Sequence, residues 1–436
     1  VRDLGTLLGP LLDTPLAAMV PTLLLQIAVV CSVAYAIGWV FAKLKQPRVV
    51  GEIVAGILLG PSLFGWLAPH VFSLLFPTDR MAPLYFLSQI GILLFMFQVG
   101  LELDVHALRK LGPAVVLTSY VSILVPLAAG AGLAVYLYQR LSHAGVSLSV
   151  FAFFMGTAMS ITAFPVLARI LTERNLLRTK VGLVALGCAA VDDITAWCLL
   201  ALLIAKVRSG AGASFWLTLT GLAGFLIFMI WIARPVVSAL LTRYSRKGSS
   251  WLTLVAMLLF AFLCAWITDR IGIHALFGAF FAGVILPKRE PLADSVYVNI
   301  HNKLGMVTRV FLLPLFFAFT GLRTSVYLLN DSRAWFYCAL IIMVAVFGKL
   351  LGCTISTRIS GMSWRDALSV GILMNTRGLI ELVILNVGLE LGVISPTLFS
   401  MMVIMALVTT FMATPLLSLV ARSPETSREQ GLFGAV

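Results

Sequence analysis

Two adjacent carboxylates, Asp192 and Asp193, stand in "AAVDDITAW", in the middle of an apolar stretch running from about Val181 to Ala205. An ionised side chain at membrane depth costs roughly 2.5–3.5 kcal/mol on insertion scales, so such residues call for a task and a partner. Neighbours on a helix point about 100° apart, and the two acids therefore do not face each other across a shared proton. Two separate tasks are more natural. One carboxylate faces a water-filled cavity and exchanges ions, and the other faces protein and needs a cation. Lys349, in "VAVFGKLLGC", is the candidate cation: no acid lies near it in its own segment and apolar residues extend on both sides, so Asp192 or Asp193 is its expected partner. A carboxylate partly stripped of water resists staying bare and charged. It holds either a proton or a monovalent cation, and if only the loaded forms cross the apolar barrier, two gradients become coupled. The hydroxyls of Ser160 or Thr162, with freed backbone carbonyls and the assistance of Asn375, would complete an oxygen shell suited to a hard cation.

The elements that hold these groups are membrane helices. Of 436 residues, 60% are hydrophobic and only 11% are charged, with a mean hydropathy of +1.03, which excludes a soluble globule with an ordinary polar surface. At roughly 20 apolar residues per span, breaks at charge, Gly and Pro clusters predict thirteen helices: 20–43, 48–65, 84–103, 112–138, 148–172, 180–207, 214–241, 250–269, 272–287, 304–322, 334–358, 366–391 and 396–421. The net charge of +13 is explained by loop bias, not by nucleic-acid binding. Of the 31 lysines and arginines, twenty fall on one side of this topology, eight on the other, and three (Arg234, Lys349, Arg377) within spans. The basic side is expected to be cytoplasmic, which puts the N-terminus outside and the C-terminus inside. The first apolar run is long enough to span, so no cleavable leader is expected. All six cysteines lie in apolar segments without CxxC spacing, as small core residues do.

Internal repetition and two interrupted spans complete the pattern. "GEIVAGILLGP" from Gly51 matches "GAFFAGVILP" from Gly278, and "LFMFQVGLELDV" from Leu94 matches "LFFAFTGLRTSV" from Leu315. Seven spans separate the copies, and an odd separation makes them cross in opposite directions, as in an inverted 6+6 repeat with a linking seventh helix. The fifth span carries Ser160, Thr162 and Pro165 at its centre, and its counterpart, the twelfth, carries Asn375, Thr376, Arg377 and Gly378. Two discontinuous helices at mid-membrane expose carbonyls and helix ends, the partial charges of an ion site. Arg377 and Glu381 are expected to balance the dipoles where they meet. Glu52 reads as a packing or interface residue.

"VVGEIVAGILLGPS", "SITAFPVLARIL", "AAVDDITAW" and "NTRGLIELVILNVG", in this order, resemble the signatures of the monovalent cation:proton antiporters, especially the second division with its Kef-type potassium systems and plant cation/H+ exchangers. The resemblance covers nearly the whole chain. It implies a sodium/proton antiporter-like fold with crossed broken helices and a homodimer in the bilayer. Dimerisation helices would occupy 1–103 and 244–325, core helices 104–208 and 326–421, a linker helix 209–243, and a short cytoplasmic tail 422–436. The core is expected to ride against the dimerisation helices as an elevator. Carried over, Asp193 binds the ion and proton and Asp192 with Lys349 forms the salt bridge of sodium/proton members; by its own oxygen chemistry Thr162 is expected to join Asp193 on the transported Na+ or K+. Plant-type relatives usually have Asn where Asp192 stands, and the Asp-Asp pair with Lys resembles electrogenic exchangers, which implies two protons per cation. No cofactor is expected beyond the transported ions, and a bacterial plasma membrane is the expected location. An intramembrane aspartyl protease is disfavoured because its acids converge from separate helices. A cation channel, which conducts without moving protons, and an ion-sensing receptor on the same scaffold are the competing readings.

Overall fold

The computed structural model describes residues 15–44, 46–102, 113–143, 145–174, 176, 179–209, 213–245, 250–286 and 303–420. Ten helices among the described residues are long and apolar enough to cross a membrane. No strand forms there beyond one isolated bridge between Ser142 and Ile394. The chain is an all-helical, multi-pass membrane protein. The tail expected over 422–436 and the loops bearing Arg109, Lys110, Arg178, Arg246, Lys247, Lys288 and Arg289 lie outside the described residues.

In chain order the helices are α1 (Pro15–Lys43), α2 (Arg48–Leu59), α3 (Phe64–Leu67), α4 (Pro69–Leu75), α5 (Ala82–Glu102), α6 (Pro113–Leu141), α7 (Leu148–Ser160), α8 (Phe164–Glu173), α9 (Lys180–Ser209), α10 (Ala213–Phe228), α11 (Arg234–Ser245), α12 (Ser250–Ile271), α13 (Ala275–Val284), α14 (Leu313–Leu322), α15 (Ser332–Ile359), α16 (Trp364–Met374), α17 (Leu379–Glu390) and α18 (Pro396–Val420). Side-chain caps fix several starts. Asp331 accepts from the Ala334 N–H at 2.7 Å before α15, and Ser363 from the Asp366 N–H at 3.2 Å before α16, each satisfying an orphan donor of the first turn.

Three of the expected spans are built from more than one helix. Within the apolar span Arg48–Leu67, α2 ends at Leu59 before Gly60 and Pro61, and the chain continues as two short helices that leave Trp66 and Leu74 exposed. The spans over 148–172 and 366–391, expected to be discontinuous, are each two helices, α7 with α8 and α16 with α17. Pro165 stands at the second position of α8, where the N–H that proline lacks has no helical acceptor to lose; it starts a helix instead of kinking one. Between α10 and α11 a π segment, Met229–Ala233, carries the helix through, a one-residue insertion of the kind that bends a long helix.

Two sets of helices pack mainly among themselves. α6, α7, α9, α15, α16 and α18 enclose the interrupted spans, and α1, α2, α5, α12, α13 and α14 form a second group. In the second group the matching sequence motifs meet reciprocally. A Cβ added at Gly56 of α2 would collide with the carbonyl of Ala318 on α14, and one at Gly321 with that of Ile53. A Cβ at Gly283 of α13 would collide with the carbonyl of Phe97 on α5, and one at Gly100 with that of Phe280. These G-x-x-x-A-G and GL motifs are backbone-to-backbone contacts, which only glycine allows in apolar surroundings where association rests on close packing.

Candidate ion-binding site

The two interruptions cross, and the crossing is held by main-chain bonds. After Ser160 the chain leaves the helix through Ile161, Thr162 and Ala163, and after Met374 through Asn375, Thr376, Arg377 and Gly378. The Ala163 N–H donates to the Thr376 carbonyl at 3.0 Å, and the Thr162 hydroxyl lies 3.1 Å from the Met374 carbonyl. Close approach explains Gly378: a Cβ there would lie 2.8 Å from Cγ2 of Val166 and 3.1 Å from Cβ of Ala163. Two helix C-termini and two N-termini therefore meet inside the protein, and their orphan groups need partners.

Cations take the carbonyls at the end of α7. Arg377 donates to Ala158 at 3.0 Å and to Met159 at 2.8 Å. Lys349 donates to the Ser160 carbonyl and, from α15, to the Ser122 carbonyl at 2.9 Å. Both side chains are buried, and the negative end of the α7 dipole meets two positive charges. Glu381, in the first turn of α17, lies 3.2 Å from Arg377 with both side chains fully buried, and puts a carboxylate at the positive end of that helix.

The two adjacent acids are treated differently. Asp192 is saturated: its Oδ2 lies 2.8 Å from Lys349 Nζ and accepts from the Thr162 hydroxyl at 2.8 Å, while its Oδ1 accepts from the Ser122 hydroxyl at 2.7 Å. An ion pair so deeply buried holds only with its remaining lone pairs satisfied, and here they are. Asp193 is buried as well, with the backbone N–H of Phe164 at the start of α8 turned to it, but its Oδ1 has no hydrogen-bond partner. One carboxylate on α9 is thus neutralised by protein, and the next keeps acceptor capacity that no protein donor fills.

The remaining expected residues fall as follows. The Ser160 hydroxyl turns back to the Thr157 carbonyl at 2.8 Å, so that Ser160 reaches the cluster through its own carbonyl. The Thr162 hydroxyl is engaged with Asp192. Asn375 ends α16, its Oδ1 buried without a partner and its amide 4.0 Å from the Met412 sulfur. Glu52 sits on α2 beside Gly38 of α1, apart from the crossing. Two contributors were not anticipated. Ser122 of α6 touches both Asp192 and Lys349. Thr410 of α18 clamps the second break, accepting from the Arg377 N–H at 3.1 Å and donating to the Arg377 carbonyl at 2.6 Å. The signal for Ser122 was the run Thr118, Ser119, Ser122 inside an apolar span, and for Thr410 the pair Thr409–Thr410.

A membrane scaffold with crossed interrupted helices around a buried acid defines a class of ion transporter, and comparison with known proteins places the chain within it. Residues 27–422 match the family described as sodium/hydrogen exchanger, transmembrane, and the chain belongs to that family; it is a transporter and not an enzyme. It is 43% identical to the Na(+)/H(+) antiporter NhaS4 of Synechocystis, covering 92% of this chain and 98% of that protein. It is 39% identical to Cation/H(+) antiporter 17 of Arabidopsis thaliana over 93% of this chain and 49% of the relative. It is 34% identical to K(+)/H(+) antiporter 1 of Saccharomyces cerevisiae over 87% and 44%. The chain thus spans about half the length of the plant and yeast relatives. In fold it matches the sodium proton antiporter MjNhaP1 of Methanocaldococcus jannaschii, with a TM-score of 0.65 over 91% of this chain and 96% of that one at 15% identity.

Proposed function

We propose that the chain is a secondary-active antiporter that exchanges a monovalent cation, Na+ or K+, for protons at Asp193. The observation that carries this reading is the contrast on α9: Asp192 is fully partnered, whereas a buried oxygen of Asp193 has no hydrogen-bond partner at the point where two helices break. Burial penalises the bare anion, so a proton or a cation occupies it, and the two compete. Thr162 and backbone carbonyls of the break supply further oxygens, with Asn375 Oδ1 as an additional acceptor. The relatives named as Na(+)/H(+) and K(+)/H(+) antiporters support the same reading.

The wider proposal has thirteen spans in an inverted 6+6 repeat and a homodimer in a bacterial plasma membrane with the N-terminus outside. Core helices of 104–208 and 326–421 move against dimerisation helices of 1–103 and 244–325 through the linker at 209–243. The reciprocal glycine contacts and the two helix groups support it. Exchange is proposed to be electrogenic, two protons per cation.

The test is purified protein in vesicles loaded with a pH-sensitive dye, challenged with Na+, K+, Li+ or Rb+. Cation addition is expected to release protons, and Asp193→Asn to abolish the release. Because protons and cations compete, apparent cation affinity is expected to rise with pH, the half-saturating concentration falling by up to about tenfold per pH unit for each proton displaced. Cation flux with no pH signal would mean a channel, and neither flux nor pH signal a sensor.

A further inference from the structure

We propose that Trp197 and Phe280 form the barrier that seals one side of Asp193, and that this stack must part when that side opens; the proposal rests on Asp193 being the ion seat. Trp197 lies one turn beyond Asp193 on α9, toward Ser209, and so shares its face. It is 1% exposed and stacks on Phe280 of α13, with ring centroids 5.8 Å apart and planes at 25°. The two rings come from different helix groups. Phe280 is anchored, since its own carbonyl is pressed against Gly100 of α5 and the next turn of α13 holds Gly283 against Phe97. Trp197 travels with the helix that carries the acid. Any displacement of α9 along α13 separates the pair.

On α9 the side chains differ in size on the two sides of Asp193, and both sides are buried. One turn toward Lys180 the same face carries Ala189 and Ala190; one turn toward Ser209 it carries Trp197 and then Leu200. The bulky side continues into a buried cluster with Ile92 and Met96 of α5 and Phe277 of α13. Such a constriction excludes water and hydrated ions, and with them the proton transfer they would carry. A second observation fits a stack that parts: the Trp197 indole N–H is buried with no acceptor. Buried indoles usually find one, and this donor would regain a partner in water when the rings separate. The packed arrangement therefore carries a desolvation penalty that opening would relieve.

The experiment measures proton leak in vesicles containing the full chain, with an imposed pH difference and only an impermeant organic cation present. Trp197→Ala and Phe280→Ala are each expected to raise the leak roughly tenfold over the wild type, with Trp197→Phe close to wild type. The double alanine variant is expected to leak no more than the larger single one, because both remove one contact. Leak at the wild-type level in both alanine variants overturns the seal, and if one fails to fold the other decides. A wild type without cation-driven proton release would sink the antiporter reading instead, while the leak of the alanine variants still reports on the barrier.

Discussion

Asp192 and Asp193 carry the same chemistry one residue apart, and the 100° between successive helical side chains turns them to different neighbours. Asp192 meets Lys349, Ser122 and Thr162; Asp193 meets the start of α8. Asp192 and Lys349 form an ion pair with both side chains fully buried. Lys349→Met leaves Asp192 as an unpaired buried anion, and truncating one partner of such a pair typically costs about 3–5 kcal/mol. Asp192→Asn with Lys349→Met removes both charges and is expected to recover most of that loss, as read by thermal unfolding of the purified protein in detergent. A double variant no more stable than Lys349→Met alone would contradict the pairing. These charged residues were legible in the sequence because an ionised group in an apolar run has few explanations. Ser122 and Thr410 were not, because hydroxyls are common in membrane helices, where they return a bond to the preceding turn, as Ser119 and Thr409 do here. Which acid takes Lys349 was not decided by spacing either, since it depends on the rotation of α9 against α6 and α15.

Among the elements, the interruptions were visible from Pro165 and from the polar run Asn375 to Gly378, since neither can continue a membrane helix without lost or competing bonds. Their crossing was not, because the bonds that make it, Ala163 to Thr376 and Arg377 to Ala158 and Met159, join residues more than 200 positions apart. The glycine motifs were read as a repeat, and the structure adds their use as contact points between helices. Gly56→Ala is expected to destabilise the protein by about 1–3 kcal/mol or displace α14, because the added Cβ meets the backbone of Ala318. Gly132→Ala in α6, where an added Cβ has nothing within 4 Å, is the matched control and is expected to leave the melting temperature unchanged. Equal effects at the two positions would remove the contact as the reason for the glycine.

For the whole molecule the open quantity is the charge moved per cycle. A cation for one proton at Asp193 moves no net charge, so the proposed second proton needs a second titrating group near the first. At the crossing the described carboxylates other than Asp193 are Asp192 and Glu381. Glu381 is tied to Arg377, which itself holds the end of α7. The Asp192–Lys349 pair shares Thr162 with the break next to Asp193, so a cation entering there acts on the pair directly. The proposed two-proton exchange is therefore tested at that pair. With one net charge per cycle, a 100 mV potential contributes about 2.3 kcal/mol, a shift of roughly 50-fold in the cation ratio at which flux stops. In vesicles clamped at defined potentials with Na+ or Li+ as the transported ion, the wild type is expected to show that shift, and the Asp192→Asn, Lys349→Met variant to exchange without it. A wild-type stopping ratio that ignores the clamp would fix one proton per cation and leave Lys349 as the structural partner of Asp192 and of the end of α7.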